Sequence, residues 1–511
     1  MLIAPIVFAG CAGLPANVER SESFAIRDTQ NTRLGKAAQA SIAPHPGKSG
    51  FHLLPGGLDA FVARAMLTHR AERSIDAQYY LLHNDLVGHL FLDLLLDAAN
   101  RGVRVRLLVD DMALDDDQDI SAAQLDAHPN IEIRVFNPFG RNIVRWLQYL
   151  TRLGEVTRRM HNKSFIVDNQ VTVIGGRNIG NEYFDADPNL LFGDLDVLAV
   201  GPVVDQVSSV FDLYWNSPSA YPVASLVKGN SGPADLAAVE RRLDEYIHKY
   251  AGSSYLRAMR DNPLLEQIRH WRIDFDWGQA RVLYDDPAKI TAARDQDHLK
   301  LVTQLNTYID TVISELTIFS PYLVPGREGV AQLVQLRERG VRVRILTNSL
   351  GSTDVTPVHA GYARYRRYLL RAGIELYEID ETLTRQQRRD RKGPFRFLRG
   401  SLHAKSFVLD RQRVFIGSMN FDPRSVVENT ELGVLIESAD IAVEMNNWFD
   451  QIARKGAFRL ALETDKEGAE KLFWHRTLDG ESKIYTNEPN VGFWRRLGAS
   501  LLQLLPLESQ L

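Results

Sequence analysis

A unit that occurs twice in one chain constrains this protein more than any other feature, because each copy must build its own core and the two must then pack as a related pair. Three segments recur in the same order. The first is a helical pattern, residues 86–100 and 329–339, with apolar positions three and four apart. It is closed by Gly102 or Gly340, where a helix end favours glycine. A strand follows, residues 103–108 or 341–346. The second segment is His161-Asn162-Lys163-Ser164-Phe165-Ile166-Val167-Asp168 in one copy and His403-Ala404-Lys405-Ser406-Phe407-Val408-Leu409-Asp410 in the other. The histidines are 242 residues apart and the glycines 238, so the register holds across the unit. The third is a strand, residues 195–200 or 432–436, leading to a helical pattern with Trp215 or Trp448 near its end.

A chain of 511 residues exceeds the size at which one hydrophobic core stops growing. The expectation is therefore an α/β protein of two pseudo-symmetric lobes, each a mixed β-sheet flanked by helices. The repeat sets the boundaries at an N-terminal segment 1–48, a first lobe 49–216, an inter-lobe linker with some helix 217–296, a second lobe 297–456 and a tail 457–511.

Histidine and lysine two residues apart beside a strand-like run face the same side of that run. A lone H-x-K is commonly a solvated charged face. Here the pattern H-x-K-x4-D-x6-G-x2-N is complete twice, ending in Gly175 and Asn178 or Gly417 and Asn420. Five fixed positions repeated inside a longer repeat mark a functional site.

This doubled pattern resembles the signature of the phospholipase D superfamily. The resemblance implies the phospholipase D fold and a reaction in which one histidine attacks phosphorus to form a phosphohistidine. The other protonates the leaving alkoxide and then activates the incoming alcohol or water. Imidazole suits both tasks near neutral pH. It assigns His161 as nucleophile and His403 as acid/base, although the repeat symmetry leaves the reverse open. Lys163, Lys405, Asn178 and Asn420 would surround the non-bridging phosphate oxygens, and neither a metal nor a cofactor is implied. Ser418 follows Gly417, whereas the first copy has Gly176 there, so the first site is expected to lack one hydroxyl donor. Asp194 and Glu431, aligned by the repeat, are the candidates to orient the second ring nitrogen of each histidine. Asp168 and Asp410 belong to the signature and are expected to brace the turn after the strand.

Substrate class is read from what surrounds the motifs. A run from Arg141 to Arg152, with Arg145, Trp146, Leu147, Tyr149 and Leu150, precedes the first motif, followed by Arg158 and Arg159. Arg385, Arg388, Arg389, Arg391, Lys392, Arg396 and Arg399, with Phe395 and Phe397, precede the second. Both are expected to form basic rims, which anionic lipid headgroups and nucleic acid would each satisfy. Residues 493–506 place aromatic and leucine side chains on one helical face, with Arg495 and Arg496 near its start, as an interfacial helix would. The net charge of −4 offers nucleic acid no general attraction, and the aromatics lie among leucines rather than on a base-stacking platform.

Further segments, Arg177-Asn178-Ile179-Gly180, Asp354-Val355, His359-Ala360-Gly361-Tyr362-Ala363-Arg364 and Phe421-Asp422-Pro423-Arg424-Ser425, resemble bacterial cardiolipin synthases of the C-type. The resemblance, running from about Ser49 to the C-terminus, implies a phosphatidyltransferase acting at a membrane surface. A phosphatidyl group would move from phosphatidylglycerol or phosphatidylethanolamine to His161, and then to a hydroxyl of phosphatidylglycerol. The alternatives are a hydrolytic phospholipase D, in which water resolves the intermediate, and a nuclease of the same superfamily.

Cys11 is the only cysteine, so no intrachain disulfide can form. The apolar stretch before it ends in Phe8-Ala9-Gly10 and resembles the end of a bacterial lipoprotein signal, without the basic region such signals carry. Lipid anchoring through Cys11 and a frayed apolar N-terminus are the two readings. No later apolar run approaches the ~20 residues a spanning helix needs, which suggests a peripheral protein of a bacterial membrane.

Overall fold

Parallel strands can be joined only through a crossover, and the helix–glycine–strand unit supplies one in each lobe. The computed structural model describes residues 14–15, 18–113, 116–141, 145–151, 154–187, 191–227, 231–382, 400–464, 468–478 and 481–504. Its first lobe opens with β1 (Ser49–Leu54). Three parallel strands follow, β2 (Ser74–Tyr79), β3 (Arg104–Asp110) and β4 (Ile131–Phe136), linked by helices Leu86–Asn100 and Asp116–Asp126. Gly102 sits at φ 91° and Gly340 at φ 86°, a left-handed conformation that a side chain would strain, which is why glycine closes both helices. After them come β5 (Ser164–Val167), β6 (Val171–Gly175), the short β7 (Phe192–Gly193), β8 (Asp196–Val200) and β9 (Ala220–Pro222). The sheet order is β1-β8-β6-β5-β2-β3-β4-β9.

The second lobe answers strand for strand. It contains β10 (Asp276–Tyr284), the parallel β11 (Glu315–Phe319), β12 (Arg342–Thr347) and β13 (Glu375–Ile379), then β14 (Ser401–Leu402), β15 (Lys405–Leu409), β16 (Arg413–Gly417), β17 (Leu432–Glu437) and β18 (Ala457–Thr464). The order β10-β17-β16-β15-β11-β12-β13-β18 matches the first lobe position by position. A hairpin, β19 (Glu470–Leu478) and β20 (Glu481–Tyr485), extends the β18 edge.

The repeat is thus longer than its sequence boundaries. β9 and β10 lie in the stretch assigned to the linker and β18 in the stretch assigned to the tail, yet β10 is the counterpart of β1 and β18 of β9. β10 escaped detection because it leaves Gln279 and Arg281 exposed, so its apolar pattern is broken. The rest of the linker is largely helical, Pro233–Tyr250, Ser254–Arg260 and Pro263–Arg269.

β10 also pairs with β1 through residues 276–278, making one continuous sheet of the two lobes. Between the lobes lies a shared core that draws Phe51, Ile166 and Val197 from the first and Val408, Ile416 and Val434 from the second. Helices Pro202–Trp215 and Ala439–Lys455 contribute Trp215 and Trp448 to it. Burying each sheet's inner face against the other fixes how the two H-x-K segments meet.

Candidate active site

The strands expected to carry the histidines begin after them: β5 at Ser164 and β15 at Lys405. Each histidine instead follows a short pairing with the opposite lobe. Met160 bridges to Thr430, and the His161 N–H donates to the Thr430 carbonyl at 2.9 Å. In the second half, β14 pairs in parallel with β7, and the His403 N–H donates to the Gly193 carbonyl at 2.7 Å. The residue after each of those carbonyls is a carboxylate. His161 Nδ1 lies 2.8 Å from Glu431 Oε2, and His403 Nδ1 lies 2.5 Å from Asp194 Oδ2. The orienting groups therefore cross, so that each lobe supplies the carboxylate for the other lobe's histidine. With Nδ1 of each ring on a carboxylate, chemistry falls to Nε2, and at His403 Lys405 Nζ stands 2.9 Å from Nδ1 and 3.2 Å from Nε2. Alignment nominated both carboxylates but not their exchange.

Two residues absent from the sequence reading hold the entry to each histidine. Asp110 at the end of β3 accepts from the Met160 N–H at 2.7 Å, and Asn348, just beyond β12, accepts from the Leu402 N–H at 2.9 Å. They are 238 residues apart, the spacing of the glycine caps, which was the available signal. Aromatic walls were missed as well. Tyr80 meets the His161 ring edge-on at 5.0 Å, Tyr183 meets His403 edge-on at 5.1 Å, and Phe192 lies 5.1 Å from His403.

Burial drives the titration of the site. It pushes His161 well below the usual imidazole range, assisted by the charges of Lys163, Lys405, His403 and Arg424, so this ring is neutral at pH 7. Burial and Lys405 also lower His403, while Asp194 and Asp354 oppose them. Lys163 is pushed well below the usual lysine range and Lys405 to about 8, in both cases by burial. Burial raises Glu431 to about 7 against the pull of Lys163 and two serine hydroxyls. Asp194 is equally buried, yet the charges of His403 and Lys405 outweigh burial and hold it below the usual carboxylate range. Lys163 Nζ donates to the His161 carbonyl at 2.6 Å, and Lys405 Nζ lies 3.2 Å from His403 Nε2.

The Gly176/Ser418 difference has another cause than a missing phosphate donor. Ser418 Oγ donates to Glu431 Oε2 at 2.5 Å and Ser425 Oγ to Glu431 Oε1 at 2.8 Å. Ser418 is thus spent on the carboxylate. At Gly176 a Cβ would stand 2.2 Å from Asp194 Oδ1, so glycine is required for Asp194 to reach His403. Asn178 Nδ2 donates to the Tyr183 hydroxyl at 2.9 Å. The Oδ1 atoms of Asn178 and Asn420 are buried and have no partner among the described residues, which leaves two acceptors available to a hydroxyl or N–H of a ligand.

Asp168 and Asp410 stand apart from this chemistry, as their expected bracing role requires. Asp168 accepts from the backbone N–H groups of Glu72, Arg73 and Ser74, fixing the entry to β2. Asp410 does the same for Ile313, Ser314 and Glu315 ahead of β11. The repeat places both at positive φ, 51° and 53°.

The first basic rim is corrected. Arg141 is tied to Asp111 and Asp119, Arg158 to Glu428 and to the carbonyls of Lys289, Ile290 and Ala292, and Arg159 to Asp110. These are internal ion pairs rather than a solvated cationic face. Leu147 and Tyr149 on helix Arg145–Thr151 are exposed. Arg152, the second rim from Arg385 to Arg399 and Cys11 lie outside the described residues. The C-terminal helix, Phe493–Leu502, buries Ala499 and exposes Phe493, Trp494 and Leu501 on one side, with Leu504 just beyond. Among the described residues no helix is long and apolar enough to cross a membrane. His83, Asp85 and Glu182 gather three metal-type ligands, but the Asp85 oxygens already accept from the N–H groups of Gly88 and Asn181.

Two lobes that present paired H-x-K histidines to one shared site define a protein of the phospholipase D fold. Its architecture matches the crystal structure of phosphatidylserine synthase from Haemophilus influenzae Rd KW20, with a TM-score of 0.57 over 91% of this chain and 96% of that one, at 12% identity. The family model described as "Cardiolipin synthase, PLD-like domain" matches residues 66–215 and 305–453. Cardiolipin synthase C of Escherichia coli (strain K12) is 41% identical over 479 residues, 93% of this chain and 99% of that protein. Cardiolipin synthase A of Pseudomonas syringae pv. syringae is 26% identical over 400 residues, 77% of this chain and 66% of that one. The chain belongs to the cardiolipin synthase family of phospholipase D-like proteins.

Proposed function

We propose that this chain is a phosphatidyltransferase that makes cardiolipin from phosphatidylglycerol and a second phospholipid. The observation that carries the reading is the pair of buried histidines, each with Nδ1 on a carboxylate of the opposite lobe and Nε2 left for phosphorus or alcohol. The likeness to cardiolipin synthase C over 93% of the chain supports the choice of product.

In the first step neutral His161 Nε2 attacks phosphorus, the bond from phosphorus to the head-group oxygen breaks, and His403 gives its proton to that oxygen. In the second, an acceptor hydroxyl of phosphatidylglycerol gives its proton to His403 while its oxygen displaces His161 from phosphorus. One phosphodiester is traded for another. Asp194 at His403 Nδ1 favours the protonated ring that an acid needs, which supports this division of labour. Lys163 and Lys405 supply the donors for the phosphate oxygens, where fixed positive charge stabilises developing negative charge.

The exposed side of helix Phe493–Leu502 supports a peripheral seat on the bilayer, with Trp494 79% exposed. Arg495 Nη2 donates to the Thr353 carbonyl at 2.9 Å, linking that helix to the loop beside the His403 half-site.

The test is product analysis after incubating purified protein with labelled phosphatidylglycerol in vesicles, with and without phosphatidylethanolamine. Cardiolipin is expected. Phosphatidic acid without cardiolipin would show a hydrolase, and cleavage of single-stranded DNA at comparable rates would show a nuclease.

A further inference from the structure

The two half-sites are not equivalent in charge. Around His161 the added charges are the cation of Arg424, whose Nη2 also donates to the Thr157 carbonyl at 2.9 Å, and the carboxylate of Asp110, which is buried and bonded internally to Arg159 and the Met160 N–H. On the His403 side stands a carboxylate, Asp354, that acts on His403, Lys405, Tyr183 and Tyr322. Asp194, Glu431 and Asp422 are also near but are buried and bonded internally, to His403, to His161 and two serines, and to the Ser425 N–H. Asp354 is exposed. One of its oxygens takes the Tyr322 hydroxyl at 2.8 Å, and a carboxylate has further acceptor capacity to offer.

Its position is built. The loop before it is closed by hydrogen bonds from Ser352 to Ser349 and Asn348, the Thr353 carbonyl is held by Arg495, and helix Thr356–Ala363 follows. A negative charge beside a phosphate-processing centre repels the phosphate and is unfavourable unless it recognises something else. The other part of a phospholipid head that must occupy the His403 side is the alcohol, which leaves from there and enters there. That alcohol carries hydroxyls in phosphatidylglycerol and an ammonium in phosphatidylethanolamine, and both donate hydrogen bonds to a carboxylate.

We propose that Asp354, braced by Tyr322, is the head-group receptor of the His403 half-site, accepting hydrogen bonds from the hydroxyls or ammonium of the alcohol exchanged there. The proposal rests on the transferase reading above and adds a specificity determinant to it. By holding a polyol hydroxyl near His403, Asp354 favours an alcohol over water as the group that resolves the phosphohistidine. Sites built to bond a substrate group discriminate strongly against molecules lacking it.

The test is the ratio of cardiolipin to phosphatidic acid made by wild type, Asp354→Ala, Asp354→Asn and Tyr322→Phe in phosphatidylglycerol vesicles with and without phosphatidylethanolamine, with thermal unfolding followed in parallel. Loss of a charge-assisted hydrogen bond predicts a shift of the ratio toward phosphatidic acid of about tenfold or more in Asp354→Ala. Tyr322→Phe is expected to shift it the same way but less. Asp354→Asn keeps an acceptor for hydroxyls but not a counter-charge, so use of phosphatidylethanolamine should fall more than use of phosphatidylglycerol. A proportional loss of both products, or a wild-type ratio and donor preference in Asp354→Ala, overturns the proposal while leaving the transferase reading intact. Absence of cardiolipin from the wild-type reaction overturns both.

Discussion

Asp194→Asn should disable the histidine of the opposite lobe and spare the one in its own. The substitution keeps size and planarity, so the close contact with Gly176 is preserved while the charge is removed. The Asp194–His403 pair is 2.5 Å apart with both partners buried. At an effective dielectric constant of 20, unit charges at that distance attract by roughly 6–7 kcal/mol, an upper figure before desolvation is subtracted. Breaking a buried pair by removing one charge costs about 3–5 kcal/mol. If that loss falls on the transition states that use His403, turnover drops by roughly 10²- to 10⁴-fold. The assay is rapid-mixing kinetics with a p-nitrophenyl phosphodiester, whose leaving group needs no proton. Asp194→Asn should release about one equivalent of nitrophenolate per site in a burst and then turn over slowly, because attack by His161 survives while resolution by His403 does not. Glu431→Gln should lose the burst itself. The opposite pattern would refute the crossed assignment, as would wild-type turnover in either variant.

Gly176→Ser makes the first motif match the second in sequence, yet it should cost at least about tenfold in turnover, because the new Cβ displaces Asp194. Activity at or above wild type would show that the contact is slack. Asp168→Ala should lower stability by about 3–5 kcal/mol by stranding three backbone N–H groups, and the less buried Asp410→Ala by less; denaturant titration measures both, and a larger effect at Asp410 would contradict the bracing account. Trp494→Ala combined with Leu501→Ala should reduce binding to anionic vesicles by about tenfold or more with little change in melting temperature, since both side chains are exposed. Unchanged flotation with vesicles would remove this helix from the membrane contact.

What the sequence made legible was local. The helix at 86–100, its glycine cap and the strands after both caps lie where the 3.6-residue and alternating patterns put them. The H-x-K residues and their carboxylate partners could be named from the repeat alone. Pairings across long separations were not legible, because no local pattern encodes which lobe a carboxylate faces. Glu431 and His161 are 270 positions apart. The same limit misled the reading of Arg141, Arg158 and Arg159 as a basic rim. Their counter-charges, Asp111, Asp119, Asp110 and Glu428, lie on distant segments, so a run of arginines looked unpaired until the fold supplied partners.

The central claim is that phosphatidyl transfer passes through His161. It is tested most directly by quenching the enzyme in alkaline denaturant, which preserves a phosphohistidine P–N bond, during turnover of phosphorus-labelled phosphatidylglycerol and mapping the label by mass spectrometry. Label on His161, chased into cardiolipin when unlabelled phosphatidylglycerol is added, is the predicted result. Label on His403, or a labelled enzyme that discharges only to phosphatidic acid, would contradict it.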